Sequence, residues 1–125
     1  MTPQDLMAKA IQAIASARVL LDTNDTDGSC NRAYYAMFDA ARAALLTIDL
    51  DAGKTHRGVL NLFSEHFVKS GLLPKETGRL LKQAETFRCV ADYEGGCVEM
   101  SDAVKMVDNA VTFVAAMQGF MPAAK

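Results

Sequence analysis

An all-α, up-and-down bundle of four longer helices plus a short one is predicted by three observations on this sequence. Apolar residues recur at three- and four-residue steps in five separate segments, the spacing of one helix face. Short runs rich in Thr, Asn, Asp and Gly stand between those segments and read as turns. No apolar/polar alternation bounded by turn residues runs for four or more positions, so a sheet is not expected. With 125 residues, half of them hydrophobic, the chain has enough apolar surface for one core. The expected organisation is a single domain over residues 1–120 and a tail at 121–125 that frays.

The first helix opens at Thr2-Pro3-Gln4-Asp5, with Thr2 as N-cap, Pro3 at the first helical position and Asp5 reaching back as in a capping box. Leu6, Ala10, Ala13, Ile14, Ala17 and Leu21 keep its face. The turn from Thr23 to Gly28 leads to a second, antiparallel helix, capped by Asp27 or Ser29 and ending near Ile48. A third begins around Lys54-Thr55-His56-Arg57 and carries Val59, Leu62, Phe63, His66 and Phe67 on one face, with Gly71 as its C-cap. Pro74 restarts the chain in a fourth helix, stepped by Leu80, Leu81, Ala84 and Phe87 and broken at Asp92-Tyr93-Glu94-Gly95-Gly96. Ser101 is expected to cap the last, whose stripe is Val104, Val107, Val111 and Val114.

The second helix organises the rest, because it carries two stripes. Tyr34, Met37, Ala41, Leu45 and Ile48 form a broad apolar face, while Arg32, Tyr35, Asp39 and Arg42 form a line of cation, phenol, carboxylate and cation. A solvated face more often carries Lys and Glu, so this second stripe suits partly buried hydrogen bonding. It either fixes helix register inside the bundle or lines a site.

Thirteen Lys and Arg against 15 Asp and Glu give a net charge of −2, which argues against a nucleic-acid groove built on bulk charge and leaves room for a local basic site. DNA is not an expected ligand. Cys30, Cys89 and Cys97 form an odd set without a C-x-x-C pair, so neither a disulfide framework nor a zinc site is suggested, and a reducing cytoplasm fits. No apolar run has the length of a membrane span, and no N-terminal export signal is read. There is no Gly-rich phosphate loop, H-E-x-x-H or G-x-S-x-G, so no cofactor or metal is expected.

Three places could carry chemistry. Arg88 stands near Asp92 and Tyr93 at the end of the fourth helix; it either closes that helix as an i,i+4 pair with Asp92 or binds an anion. Lys54-Thr55-His56-Arg57 gathers three potential cations and a hydroxyl at a helix N-terminus, where free N–H groups favour a phosphate. His56 can serve as acid or base at neutral pH, whereas His66, in the apolar register, reads as a satisfied core histidine.

Four stretches, Asn31-Arg32-Ala33-Tyr34-Tyr35-Ala36-Met37-Phe38, Lys54-Thr55-His56-Arg57-Gly58-Val59, Phe67-Val68-Lys69-Ser70-Gly71 and Arg88-Cys89-Val90-Ala91-Asp92-Tyr93, resemble the small stand-alone HEPN domain proteins of prokaryotes in order and spacing. The resemblance covers about residues 5 to 117. It implies an antiparallel helical bundle, commonly a homodimer, often encoded beside a minimal nucleotidyltransferase as a toxin–antitoxin or related two-component system. Active HEPN ribonucleases carry an R-x4-6-H motif for metal-free RNA cleavage, in which arginine stabilises phosphorane charge and histidine moves the 2′-hydroxyl proton. Arg88 matches the motif's arginine, but five residues on stands Tyr93 instead of histidine. A phenol with a pKa of about 10 is a poor base at neutral pH.

The expectation is therefore a HEPN protein of a toxin–antitoxin-like system that binds a nucleotide, RNA or a nucleotidyltransferase partner through Arg32, Tyr35, Asp39, Lys54, His56, Arg88 and Asp92. Under it, the polar stripe of the second helix and the Arg88-to-Tyr93 segment converge on one cleft. Two alternatives stay open. One is a metal-free endoribonuclease with a rearranged site, using Arg88 with His56 or Tyr93. The other is a structural homodimer subunit whose polar stripe only sets register.

Overall fold

The computed structural model describes residues 1–51, 53, 55–93 and 97–122, the side chains of 89–93 excepted. Its elements are α1 (Pro3–Asp22), α2 (Thr26–Thr47), α3 (His56–Phe63) running directly into a π-helical turn (Ser64–Val68), α4 (Lys75–Tyr93) and α5 (Met100–Gln118). The fold is all-α: four helices of 19 to 22 residues and one of eight, with no strand among the described residues.

The expected capping box of α1 is present. Asp5 N–H donates to Thr2 Oγ1 at 3.1 Å, and Thr2 N–H donates to the Asp5 carboxylate at 3.0 Å. These bonds to Thr2, its backbone first, hold the Asp5 carboxyl below its ordinary range. Asn24 closes the turn to α2 in the left-handed region, φ 65°, which Asn tolerates better than most residues.

The cap of α2 differs from expectation: it is Asp25, whose carboxylate accepts from Gly28 N–H at 2.9 Å. The two residues expected there have other work. Asp27 accepts from Val98 N–H at 2.8 Å, tying the start of α2 to the segment before α5, and buried Ser29 donates to the Ala17 carbonyl at 2.9 Å, joining α2 to α1.

α2 is the hub and packs against α1, α3, α4 and α5. Its buried residues include Ala33, Ala36, Ala40, Ala41, Ala43 and Ala44, small enough for neighbouring helices to approach closely. Tyr34, Met37, Ala41 and Leu45 face the core as expected, while Ile48, past the helix end, is exposed. In α3 and the π-turn, Val59, Phe63 and Phe67 are buried and Leu62 and His66 only partly so. His66, inside the π-turn, is thus not the core histidine its register suggested: the buried line is Val59, Phe63 and Phe67, and His66, like Leu62, lies at its edge. Gly71 takes a φ of 85° after the π-turn, the left-handed stop expected of it.

α5 corrects two expectations. It begins at Met100 after Glu99, so Ser101 lies inside its first turn rather than capping it. Its buried face is Ala103, Met106, Val107, Ala110, Phe113, Val114 and Met117, and Val104 is exposed. The valines share a helical spacing, but the centre of the face is set by Phe113 and Met117, which fill the core more fully. Phe113 meets Phe63 with ring centroids 5.5 Å apart, Phe63 meets Phe67 at 5.2 Å, and Phe67 meets Phe120 edge-on at 5.1 Å. Of the tail expected at 121–125, Met121 packs partly on the core and residues 123–125 lie outside the described residues.

Candidate functional site

Three elements deliver polar groups to one region. α2 supplies Tyr34 from its core face and Arg32, Tyr35 and Asp39 from its half-buried stripe; α3 supplies His56 from its first position; α4 supplies Arg88 from its last turns. The start of α3 is fixed locally by Thr55, whose hydroxyl accepts from Gly58 N–H at 3.3 Å.

Tyr34 is fully buried, and its hydroxyl lies 2.6 Å from His56 Nδ1. A buried phenol needs a polar partner, and this bond supplies one while fixing the imidazole. Sequence periodicity read Tyr34 only as an apolar core residue; the one clue to more was a tyrosine where phenylalanine would have filled the core. His56 is boxed by rings, nearly parallel to Tyr34 at 5.4 Å between centroids, 4.8 Å from Phe38 and edge-on to Tyr35 at 5.8 Å.

Arg88 is 8% exposed, its guanidinium carbon 5.1 Å from the centre of the Tyr34 ring. The phenol is thus flanked by a guanidinium over its face and an imidazole at its hydroxyl. Desolvation, followed by the Arg88 charge, holds the His56 pKa below its ordinary range, with Glu85 pulling the other way. The neutral form of His56 is therefore favoured, with one nitrogen engaged by Tyr34. If the phenol donates to Nδ1, Nε2 carries the proton; if Nδ1–H donates to the phenol, Nε2 presents a lone pair.

In front of His56 lies a groove of about 510 Å³ between α1 and α2. The stripe read from the sequence lines it: Arg32, Tyr35, Asp39 and Arg42, joined by Phe38 and His56. α1 adds Lys9, Gln12 and Ser16, which sequence reasoning missed because they sit on a helix whose pattern marks only its buried side. The Arg32 guanidinium stands over the Tyr35 ring at 5.2 Å, and Arg42 pairs with Asp39 at 3.8 Å. Burial pushes the Asp39 carboxyl up from its ordinary value, against the pull of Lys9, Arg42 and Arg32.

Behind His56 a second groove, about 960 Å³, runs between α3 with its π-turn and α4, lined among others by Arg57, Asn61, Glu65, Lys69, Lys82 and Glu85. The structure thus brings Arg32, Tyr35, Asp39 and His56 to one groove and sets Arg88 against the Tyr34–His56 pair. Lys54, expected to bind a phosphate beside His56, lies outside the described residues, as do the side chains of Asp92 and Tyr93. Among the described residues no cluster of His, Cys, Asp and Glu could hold a metal ion, and no helix is long and apolar enough to cross a membrane.

The sequence that forms this bundle matches a known family. The family model of the HEPN domain fits residues 3–119. This chain belongs to the HEPN family. A relative from Gloeobacter violaceus, UPF0332 protein glr0978, is 40% identical over 97% of this chain and 98% of its own length. A relative from Methanocaldococcus jannaschii named "Putative toxin MJ0605" is 32% identical over 89% of this chain and 82% of its own. A UPF0332 protein of Thermotoga maritima is also 32% identical, over 92% of this chain and 82% of its own.

Proposed function

We propose that this HEPN protein is the toxin-like member of a two-component system and binds RNA in the groove between α1 and α2. The observation that carries the reading is the composition of that groove. Lys9, Arg32 and Arg42 offer phosphates three cations against the single carboxylate of Asp39, and Tyr35, Phe38 and His56 offer aromatic surface to an unstacked base. The name of the Methanocaldococcus relative supports the toxin assignment. A homodimer and a nucleotidyltransferase partner belong to the same proposal, which extends to a free nucleotide as the smallest ligand with the needed phosphate and base. The protein works in the cytoplasm, where RNA and such a partner are found.

A second reading, metal-free RNA cleavage, is favoured by one specific arrangement. Arg88 and His56 flank Tyr34, so an arginine for phosphorane charge and a neutral imidazole for proton transfer are neighbours without the motif histidine. In that reaction His56, with Nδ1–H donated to the Tyr34 hydroxyl, takes the 2′-hydroxyl proton on Nε2, the 2′-oxygen attacks the adjacent phosphorus, and the 5′-oxygen leaves with a proton taken from water, giving a 2′,3′-cyclic phosphate.

End-labelled structured RNA incubated in EDTA with wild type, Arg88→Ala and His56→Ala separates the two. Binding by folded wild type without cleavage supports the RNA-binding reading. Cleavage that both variants lose establishes the ribonuclease. Neither binding nor cleavage, with a labelled nucleotide also unbound, overturns both.

A further inference from the structure

Two grooves meet at His56. We infer that the groove between α3, its π-turn and α4 is a second subsite for single-stranded RNA, so that a strand held between α1 and α2 continues past His56 into it. This rests on the RNA-binding reading of the first groove. His56 is the shared wall: it lines both, and nothing else in the described residues does.

Among the described residues the two grooves hold six of the chain's 13 Lys and Arg, namely Lys9, Arg32 and Arg42 in the first and Arg57, Lys69 and Lys82 in the second. They hold three of its 15 Asp and Glu: Asp39, Glu65 and Glu85. A chain of net charge −2 has therefore concentrated cations over carboxylates along one connected track, which is what a polyanion needs and what its bulk charge hides.

The π-turn independently shapes the second groove. Lys69 N–H donates to the Ser64 carbonyl at 2.8 Å, a five-residue step that inserts one residue into the helical repeat. Because of that insertion, Lys69 joins Arg57, Asn61, Ser64 and Glu65 on the wall of the second groove. Val68 instead meets α4 at Gly78, where a Cβ would come within 2.8 Å of Val68 Cγ2. Insertions of this kind recur at functional sites, and here the insertion exchanges a valine for a lysine on the groove wall. Asn61, Ser64 and Thr86 add neutral hydrogen-bonding groups suited to phosphate and ribose oxygens.

The test is fluorescence anisotropy with 5′-labelled oligouridylates of three and nine nucleotides, on wild type, Lys69→Ala/Lys82→Ala and Arg32→Ala/Arg42→Ala, each checked for fold by circular dichroism. Wild type should bind the nonamer on the order of tenfold more tightly than the trimer. Lys69→Ala/Lys82→Ala should lose that gain and lower the salt dependence of nonamer binding by about 1.4 in logarithmic slope, two phosphates at about 0.7 each for a single strand. Arg32→Ala/Arg42→Ala should weaken both lengths. A nonamer no tighter than the trimer, or a gain that survives loss of Lys69 and Lys82, overturns the second subsite and leaves the first intact. Failure of wild type to bind either length overturns the RNA reading itself and this inference with it.

Discussion

Each end of the α3 segment meets fully buried rings, to opposite effect. At its end, Phe63 and Phe67 are 1% and 0% exposed and pack against one another and against Phe113 and Phe120. At its start His56 meets Tyr34, also 0% exposed, but through a hydroxyl–imidazole bond with a guanidinium over the ring. Burial alone therefore does not distinguish core from site. The difference lies in polar atoms: the phenylalanine end carries stability, whereas the tyrosine end spends buried surface on holding an imidazole and an arginine in fixed relation.

The largest expected effect breaks the phenylalanine end. Phe67→Ala should cost about 3–5 kcal/mol in urea unfolding, because the lost transfer energy and the residual cavity add. If the cost is under about 1 kcal/mol, the ring cluster does not carry the core. Gly78→Ala follows: its Cβ would sit 2.8 Å from Val68 Cγ2, so α4 and the π-turn must separate, at a cost of about 1–3 kcal/mol. Unchanged stability there would mean that the close approach is not maintained in solution.

At the tyrosine end, Tyr34→Phe removes a hydroxyl and leaves the ring. It should cost only about 1 kcal/mol of stability while lowering RNA affinity, since the imidazole loses its anchor. A stability loss without any change in affinity would make the Tyr34–His56 pair purely structural.

The smallest effects are electrostatic and sharpen the comparison. Arg88→Met should raise the His56 pKa and Glu85→Gln should lower it, read from the imidazole Cε1–H resonance during titration, because Arg88 disfavours the charged ring and Glu85 favours it. Linkage gives the sign for stability. The folded pKa of His56 lies below its unfolded value of 6.5, so below pH 6.5 the unfolded chain takes up the proton first. The contribution is complete above pH 6.5 and is lost as pH falls toward and through the folded pKa. His56→Gln should flatten that part of the stability profile, and an unchanged profile would assign it to other groups.

Much of the bundle was legible because its cues are local. Thr2 and Asp5 lie three residues apart, Gly71 and Pro74 punctuate the chain, and the apolar steps of α1 and α2 repeat within single helices. Errors fell where a longer-range partner competed. Asp27 was read as a cap but bonds Val98, 71 positions away, and Ser29 bonds Ala17, leaving Asp25 to cap α2. The valine stripe of α5 was outweighed by Phe113, whose place beside Phe63 no local pattern encodes. The π-turn was invisible, since α-helical periodicity has no symbol for an inserted residue.

The site divides the same way. By itself the sequence determined the all-α class, the HEPN resemblance and the line of Arg32, Tyr35, Asp39 and Arg42, because residues at helical spacing on one helix must share a face whatever surrounds it. Only the tertiary structure decided that this line faces Lys9 of α1, that Tyr34 reaches His56 across 22 positions, and that Arg88 lies over the Tyr34 ring. Those contacts join different helices, and they depend on how small alanines let α2 lie among its neighbours rather than on any spacing along the chain.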